Sequence, residues 1–357
     1  MNNLWSTYAP KLQEWSHAHP RPLPWKGIRD PYRIWLSEVL LQQTRVEQGL
    51  PYFERFVRAY PTIADLAAAP QEDIYKLWEG LGYYARARNM HAAAQSVVEE
   101  HNGVFPDTYD AIRGLKGVGD YTAAAIASFA YDLPHAVLDG NVYRVLSRWF
   151  GIGTPIDSTE GKQEFSRLAE AILDKNNPAA HNQAMMDFGA TWCTPKNPQC
   201  TRCPFQNECV AWQEGRVAEL PAKAKKLIKK ERFFVYIVVK KGGSTFLQQR
   251  LEKDIWQNLW TFPALEPEEL PTTLGEARAL LPLEWNEIPI VSLSKPFKQI
   301  LTHRLVQAVF VVVDWQEALT TFLTNTQPVS WAKAAPELPV PRIVEWYWNE
   351  RNQLFIA

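Results

Sequence analysis

The sequence predicts an α+β protein in which a helical domain is followed by a domain built on strands. The chain has 357 residues and is 46% hydrophobic and 22% charged, which suits a globular protein of two or three domains. Apolar residues recur at helical spacing up to about residue 216, whereas short β-branched and aromatic runs dominate from residue 232 onward. We therefore predict domains at 1–216 and 232–357, joined by a basic linker at 217–231.

Overall charge and hydropathy bear on whether nucleic acids or membranes are partners of the protein. The net charge of −1 gives no support for nucleic-acid binding, so any affinity for phosphates must come from local basic patches and helix N-termini. The first residues, MNNLWSTYAPKLQEW, lack the basic and apolar segments of a secretory signal, and no apolar run reaches membrane-spanning length. We expect a monomeric, soluble, cytoplasmic protein with no membrane partner.

The first informative helix begins at Pro31. Asp30 followed by Pro31 is typical of a helix start, and the pattern PYRIWLSEVLLQQTRVEQ predicts one helix of about five turns over 31–48. Glu38 lies in its apolar stripe, where a carboxylate is costly unless it is paired or protonated. Glu38 is therefore either a buried acid or a residue that faces solvent or pairs with Arg45 or Lys26.

Further elements follow from the same periodicities. We expect helices at 65–78, 85–100, 161–178 and 181–193 in the first domain. The second domain should contain strands at FFVYIVV, TFLQQR, VSLS, FKQILTHRL and VQAVFVVV, a short helix over 275–281, and a closing helix at PRIVEWYWNERNQ.

The stretch LKGVGDYTAAAIASFAYDLPHAVLD, residues 115–139, places two glycines between two helix-forming runs. Gly117 and Gly119 permit positive φ and leave room for close approach, and the helix that follows directs free N–H groups towards an anion such as a DNA phosphate. Asp139 opens the next helix, DGNVYRVLSRWF, either as an ordinary N-cap or as a carboxylate held at a site. A plain helical hairpin is the alternative interpretation of the whole stretch.

All four cysteines fall within seventeen residues, at Cys193, Cys200, Cys203 and Cys209. In a cytoplasmic protein such clustering favours a metal site over disulfides. Four thiolates suit zinc, but zinc modules more often show two short cysteine pairs, and this spacing contains one. Four thiolates can equally hold an iron–sulfur cluster.

Several of these motifs together resemble the MutY family, the adenine DNA glycosylases of the endonuclease III superfamily. They are LPWKGIRDPYRIWLSEVLLQQTRV, GLGYYARAR, LKGVGDYTAAAIA, LDGNVYRV and the C-x6-C-x2-C-x5-C spacing. The resemblance implies an all-α helix-hairpin-helix glycosylase domain with a [4Fe–4S] loop at 193–209, then a Nudix-like α/β domain. The hydrolytic glutamate box of Nudix enzymes is missing from EPEELPTTLGEARALLPLE, so this second domain is expected to bind and not to hydrolyse.

The family's catalytic pattern falls on four residues of this chain. It implies that Glu38 protonates an extruded adenine, and that Asp139 stabilises the oxocarbenium-like sugar with support from Asn141. Tyr121 stands where strand-cutting relatives carry lysine. Because tyrosine cannot form an imine, we expect a monofunctional glycosylase.

The resemblance also implies roles in recognising the base pair. Trp25, Lys26 and Gln183 would lie by the adenine, with Lys26 replacing the arginine of many members. The orphaned base, 8-oxoguanine or guanine, would be contacted by Gln43, Thr44, the wedge residue Tyr83 and the loop at Thr302 and His303. For Tyr83 the alternative is ordinary helix packing, for Gln183 a solvated helix position, and for Thr302 and His303 the polarity of a strand end.

These features predict an enzyme of base excision repair that removes adenine from A:8-oxoguanine or A:G mispairs in duplex DNA. An endonuclease III-like glycosylase of other damaged bases would call for lysine at position 121 and no second domain. A non-catalytic DNA-binding iron–sulfur protein would tolerate loss of Glu38, and a nucleotide pyrophosphatase would need the missing glutamate box. The terminal QLFIA suggests a tail that docks on a sliding clamp.

Overall fold

The computed structural model describes residues 5–224, 229–301, 303–331, 338–350 and 355–356. Its contacts divide the chain into two compact units, one formed by residues 1–68 and 89–226 and the other by residues 69–88 and 227–357. Segment 69–88 thus groups with the second unit, although it precedes the predicted linker. Within the described residues, no helix is long and apolar enough to cross a membrane.

The described residues up to 226 are helical, apart from connecting loops and a 3-10 turn over Cys200–Arg202. In chain order the helices are α1 Trp5–Ala18, α2 Pro31–Leu41, α3 Val46–Ala59, α4 Ile63–Ala68, α5 Gln71–Trp78, α6 Ala85–Glu100, α7 Tyr109–Gly114, α8 Asp120–Tyr131, α9 Gly140–Phe150, α10 Thr159–Ile172, α11 Pro178–Thr191 and α12 Val210–Gln213.

The predicted start of α2 is confirmed, because the Asp30 side chain accepts hydrogen bonds from the N–H groups of Tyr32 and Arg33. The prediction of one helix over 31–48 is wrong. The chain leaves the helix after Leu41 and turns back into α3, so that a Cβ placed on Gly49 would lie only 2.7 Å from Leu41 Cδ2. In a straight helix these residues would stand about 12 Å apart.

The helix predicted over 65–78 is also wrong as a single element. Pro70 separates α4 from α5, because its ring removes the N–H that a continuous helix would need. The helix predicted over 85–100 is confirmed as α6. The helices predicted over 161–178 and 181–193 appear as α10, which ends at Ile172, and α11, which begins at Pro178.

The first unit is built around an aromatic core shared by α1, α9, α11 and the cysteine loop. The ring centroid of Trp149 in α9 lies 4.3 Å from that of Phe205, which stands between Cys203 and Cys209 in the sequence. Phe188 of α11 contacts both rings. A second, alanine-rich packing surface belongs to α8, which is buried over most of its length and packs on α2 and α7. The close approach of α8 to α2 brings the start of α8 opposite the middle of α2.

Part of the predicted linker packs on the first unit. Leu220 is buried, its carbonyl accepts from Arg148 Nε at 3.1 Å, and the N–H of Ala224 donates to Asp157 at 2.8 Å. Residues 225–228 of the predicted linker lie outside the described part of the chain. The domain boundaries at 216 and 232 stay a prediction.

In its described residues, the second unit contains two sheets and two α-helices besides segment 69–88. Its elements are β1 Lys230–Lys240, β2 Ser244–Gln249, β3 Trp260–Thr261, β4 Ala264–Leu265, α13 Leu274–Leu280, β5 Ile290–Ser294, β6 Phe297–Ile300, β7 Arg304–Asp314, β8 Thr326–Ser330, α14 Arg342–Glu350 and β9 Phe355–Ile356. The larger sheet has the order β4-β1-β7-β5-β9, with β6 also paired to β7, and the smaller has the order β3-β2-β8. Strands β1 and β7 are parallel, and the other pairs are antiparallel.

Alternation along β1 sends successive side chains to two separate cores. Phe234, Tyr236 and Val238 pack with residues of α14, whereas Val235 and Ile237 pack on the α13 side. The helices therefore cover both faces of the central strands, which agrees with the predicted α/β character of this part of the chain.

The strand predicted at FKQILTHRL is wrong as one element. It is a hairpin in which β6 ends at Ile300 and β7 begins at Arg304, and the N–H of Leu301 donates to the Arg304 carbonyl at 2.8 Å. The short helix predicted over 275–281 is confirmed as α13 within one residue. The closing helix appears as α14 up to Glu350, and residues 351–354 lie outside the described part of the chain.

Candidate active site

A cavity of about 370 Å³ opens in the first unit where α2, α8, α11 and the start of α9 meet. Its size lies within the range of small-molecule sites. It brings together most of the residues that the sequence analysis assigned to catalysis and adenine recognition. The cavity is lined by Arg21, Leu23, Trp25, Lys26, Ile34, Ser37, Glu38, Leu41, Thr44, Arg45, Val46, Glu47, Tyr121, Phe129, Asp139, Asn141, Gln183, Met186, Asp187 and Ala190.

Glu38 is a buried acid, with 6% of its surface exposed. The Tyr121 hydroxyl donates a hydrogen bond of 2.6 Å to its Oε2 atom, and no lysine or arginine in the described residues forms an ion pair with it. The pKa of Glu38 is raised to about 7, chiefly by burial; the Tyr121 hydrogen bond opposes the rise, and the charge of Asp139 adds to it. The solvent-facing and ion-paired alternatives for Glu38 are therefore wrong.

Asp139 combines the two interpretations that its sequence position left open. It is the N-cap of α9 and accepts from the Val142 N–H at 2.7 Å, and it also lines the cavity that contains Glu38. The Asn141 side-chain amide donates to its second oxygen at 2.6 Å. Burial raises the pKa of Asp139, while these hydrogen bonds favour the ionised form.

Arg144, which was not predicted from the sequence, holds the Asn141 side chain in place by hydrogen bonding. Its guanidinium donates to Asn141 Oδ1 at 2.8 Å, to the Gly189 carbonyl at 2.7 Å and to the Cys193 carbonyl at 2.8 Å. The side chain is buried, and Gly189 packs so closely that an added Cβ would lie 2.7 Å from Asn141 Cβ. In the sequence, Arg144 looks like an ordinary helix residue one turn after Asn141, so no sequence signal points to this role.

The predicted adenine-side residues line the same cavity, together with one residue that was assigned to the orphaned base. Trp25, Lys26, Gln183 and Thr44 all line the cavity. Gln43 does not; it is exposed in the turn after α2, where its φ of +57° ends the helix. The backbone turn thus explains why Thr44 and Gln43 have different surroundings despite being adjacent.

Tyr83 and His303 belong to the second unit, where both line another cavity of about 320 Å³ together with Trp256. Tyr83 is 43% exposed with a left-handed φ of +52°, which is uncommon for an aromatic residue. The Arg86 guanidinium lies 5.5 Å from its ring. His303 is exposed, and Thr302 lies outside the described residues.

The hairpin glycines differ from each other. Gly117 has a φ of +81°, and an added Cβ would lie 2.8 Å from Asn89 Cβ, so glycine is required there. Gly119 does not use the positive φ that glycine permits: its φ is −101°, and it serves as the N-cap of α8 without a side-chain hydrogen bond. Open space surrounds the position of its missing Cβ, so a ligand could approach the start of α8.

The four cysteines line one apolar cleft next to Trp149 and Arg148. Arg148 Nη1 donates to Cys193 Sγ at 3.4 Å, and burial raises the pKa of the Cys203 thiol to about 12. In the described part of the chain, no three histidine, cysteine or acidic side chains converge closely enough to hold a single metal ion. Four thiols around one cleft are a donor set that an iron–sulfur cluster would take, and four thiolates also suit zinc.

Comparison with known proteins matches two families in two parts of the chain. Residues 36–171 match the family model for HhH-GPD superfamily base excision DNA repair proteins, and residues 234–350 match that for the NUDIX domain. The chain is 35% identical to an adenine DNA glycosylase of Buchnera aphidicola subsp. Schizaphis graminum over 290 residues, which is 81% of this chain and 80% of that protein. It is also 35% identical to the adenine DNA glycosylase of Mus musculus, over 74% of this chain and 62% of that protein.

Solved structures resemble the helical part. A thermostable thymine-DNA glycosylase superposes with a TM-score of 0.55 at 28% identity, covering 59% of this chain and 97% of that one. The helical glycosylase fold and the Nudix-like second part predicted from the sequence are both confirmed. With a relative matched at 35% identity over four-fifths of its length, this chain belongs to the MutY family of adenine DNA glycosylases, the DNA N-glycosylases of base excision repair.

Proposed function

We propose that the enzyme excises adenine from A:8-oxoguanine and A:G mispairs, with Glu38 as general acid and Asp139 as stabiliser of the developing sugar cation. The observation that carries this proposal is the placement of the two carboxyl groups in one cavity with different hydrogen-bond partners. Glu38 has a phenol donor in an apolar wall, whereas Asp139 accepts from a helix N-terminus and an amide.

The first step needs a proton on the leaving base. The target adenine must leave the stack to reach the cavity, which costs least at a mispair. Glu38, with a pKa of about 7, carries a proton in a large fraction of molecules at neutral pH and transfers it to a ring nitrogen. The bond between the sugar and the base then breaks with both electrons leaving on a neutral adenine.

The second step concerns the sugar. As the bond breaks, positive charge develops on the sugar, and the ionised carboxylate of Asp139 stabilises it. Water supplies hydroxide to the anomeric carbon, and its remaining proton restores the acid. Tyr121 offers no amine for an imine with the sugar, so the product is an abasic site in an uncut strand. This separates the proposal from strand-cutting, endonuclease III-like chemistry.

Adenine is a normal base, so the opposite strand must supply the discrimination. We assign the orphaned base to Gln43 and Thr44 from the first unit, and to Tyr83, Thr302 and His303 from the second. The exposure and left-handed backbone of Tyr83 suit a side chain that inserts between bases. The backbone at Gly117 and Gly119 would contact DNA phosphates and fix the register.

We propose a [4Fe–4S] cluster held by Cys193, Cys200, Cys203 and Cys209, since all four thiols line one cleft. Zinc is the alternative that the donor type alone permits. When bound, the cluster supplies a rigid cross-link and electron-transfer chemistry. The loop that it fixes carries exposed Lys196 and Arg202, which can reach phosphates, and a reducing compartment such as the cytoplasm would keep its thiols free.

The sliding-clamp proposal falls on the C-terminal tail. Phe355 and Ile356 form β9, which pairs with Ser294 and Leu293 of β5 at the edge of the larger sheet. Docking of the tail on a clamp would therefore require release of this short strand.

The deciding experiment uses a labelled duplex with adenine opposite 8-oxoguanine, opposite guanine or opposite thymine. After incubation with enzyme, heating in alkali reveals abasic sites. We expect cleavage after alkali for the first two duplexes, little without alkali, and none with Glu38→Gln. A matched exposed control, Glu99→Gln on α6, should behave like the unchanged enzyme. Base loss that survives Glu38→Gln would remove the acid assignment, and a protein that binds but never releases adenine would favour the non-catalytic alternative.

A further inference from the structure

One buried carboxylate in the cavity wall has no part in the two steps above. Asp187 of α11 is 5% exposed. Its Oδ2 atom receives the Lys26 ammonium at 2.5 Å, and its Oδ1 atom lies 3.3 Å from the Arg21 guanidinium. The three side chains line the same cavity as Glu38 and carry one net positive charge between them.

The hydrogen bonds of Lys26 define how it can act. Its ammonium has three N–H donors. One is committed to Asp187, and a second donates to the Arg21 carbonyl at 2.9 Å. One donor therefore remains for an acceptor in the cavity. Because an ammonium cannot accept, it favours the edge of a base that presents a ring nitrogen lone pair and disfavours an edge that presents an N–H group.

We propose that Asp187 is a positioning residue, which holds Lys26 charged and aimed at a ring nitrogen of the extruded adenine. This rests on the proposed adenine excision and assigns its base-reading donor. Removing one member of a buried ion pair leaves the other charge uncompensated. Without Asp187, Lys26 would face only Arg21 at close range, so it would lose its proton or swing towards solvent.

The electrostatic setting supports this reasoning. Burial lowers the pKa of Lys26, Arg21 lowers it further, and Asp187 opposes both effects. Asp187 is therefore the group that keeps the ammonium protonated. The other titratable or charged groups that line the cavity are Glu38 from α2, Arg45 and Glu47 at the start of α3, Tyr121 from α8 and Asp139 before α9.

The test is a double-mutant cycle on full-length enzyme, measured as single-turnover adenine release from pH 6 to pH 9. The variants are Asp187→Asn, Lys26→Arg and the combination of both. Arginine keeps its charge throughout this range, so it removes the pH dependence that lysine allows. We expect the ratio of Asp187→Asn to unchanged enzyme to fall by about tenfold from pH 6 to pH 9. In the Lys26→Arg background the corresponding ratio should lack this fall and should change with pH only as far as the lost Asp187 charge acts on Glu38.

Dividing the ratio in the Lys26 background by the ratio in the Lys26→Arg background cancels effects of Asp187→Asn that do not act through Lys26. Loss of the Asp187 charge also acts on Glu38, but it does so equally in both backgrounds. Asp174→Asn, a half-buried carboxylate outside the cavity, is the matched control and should leave every ratio unchanged. Thermal unfolding of each variant monitors folding, and Asp187→Ser repeats the cycle if Asp187→Asn does not fold.

Two outcomes would overturn the inference: a level ratio in both backgrounds, or an equal fall in both. Either would mean that Asp187 acts through the fold and not through Lys26. If the unchanged enzyme releases no adenine, the proposed function fails instead, and the two failures are therefore distinguishable.

Discussion

Replacing Glu38 by glutamine should make the protein more stable and almost inactive. The pKa of Glu38 is raised from 4.5 to about 7, chiefly by burial. The folded state therefore binds the proton more tightly than the unfolded chain. Above pH 7 the folded protein must hold a charged carboxylate in an apolar wall, at a cost of about 3 kcal/mol, and this cost fades as the pH falls towards 4.5.

Glutamine has nearly the same shape, carries no charge and can still accept from Tyr121. Glu38→Gln should thus gain about 3 kcal/mol of unfolding free energy at pH 8 and about 1 kcal/mol at pH 5. Urea unfolding at the two pH values measures the gain, with the exposed Glu99→Gln as control. Loss of the general acid should slow adenine release by about 10² to 10⁴, measured under single-turnover conditions.

The unfolding and excision measurements both test the burial of Glu38. If burial both raises the pKa and poises the acid, the stability gain and the activity loss must appear together. Equal stability of the two proteins at pH 8 would show that Glu38 is not held charged against the apolar wall. Unchanged excision would show that the proton comes from elsewhere.

Further predictions concern neighbouring groups. Tyr121→Phe removes a donor that favours the ionised form of Glu38, so the pH at which adenine release declines should move upward; a downward move would contradict the assigned direction. Asp139→Asn should slow single-turnover excision by about a hundredfold or more with little change in duplex affinity measured by gel shift, and equal losses in both would indicate a structural role. Cys203→Ser should abolish visible iron–sulfur absorption, whereas a colourless, zinc-containing and fully active preparation of the unchanged enzyme would count against iron. A truncation ending at Glu219 should retain some adenine release but lose the preference for 8-oxoguanine over guanine, and an unchanged preference would refute the role of the second domain.

Local sequence chemistry predicted the elements whose ends are set by their own residues. Asp30 with Pro31 marks α2, and Asp139 marks α9, because a cap bonds only to the N–H groups that follow it. The end of α2 could not be predicted in this way. The turn at Gln43 depends on the packing of Gly49 against Leu41, which is a tertiary contact with no periodic signal.

In the candidate site, too, some residues could be predicted from the local sequence and others could not. Glu38 could be singled out because a carboxylate in an apolar stripe conflicts with its surroundings in sequence alone. Arg144 and Asp187 are also buried, but they lie in helices whose polar residues look like ordinary solvated positions. Their importance follows from partners such as Cys193 and Lys26, which are distant in sequence. Only the folded chain brings such pairs together.

The difference between the two proposed catalytic carboxyl groups follows from their surroundings. Asp139 receives a backbone N–H and an amide N–H, both of which bind an anion better than a neutral acid, so the bonds that cap α9 also oppose the rise that burial causes in the pKa of Asp139. Glu38 receives a single phenolic donor, and burial raises its pKa to about 7, so it keeps its proton in a large fraction of molecules at neutral pH. In the proposed mechanism, the helix start that orients Asp139 therefore favours Glu38 as the proton donor and Asp139 as the stabiliser. Exchanging the two roles would require moving a helix N-terminus, which no single substitution in the cavity can do.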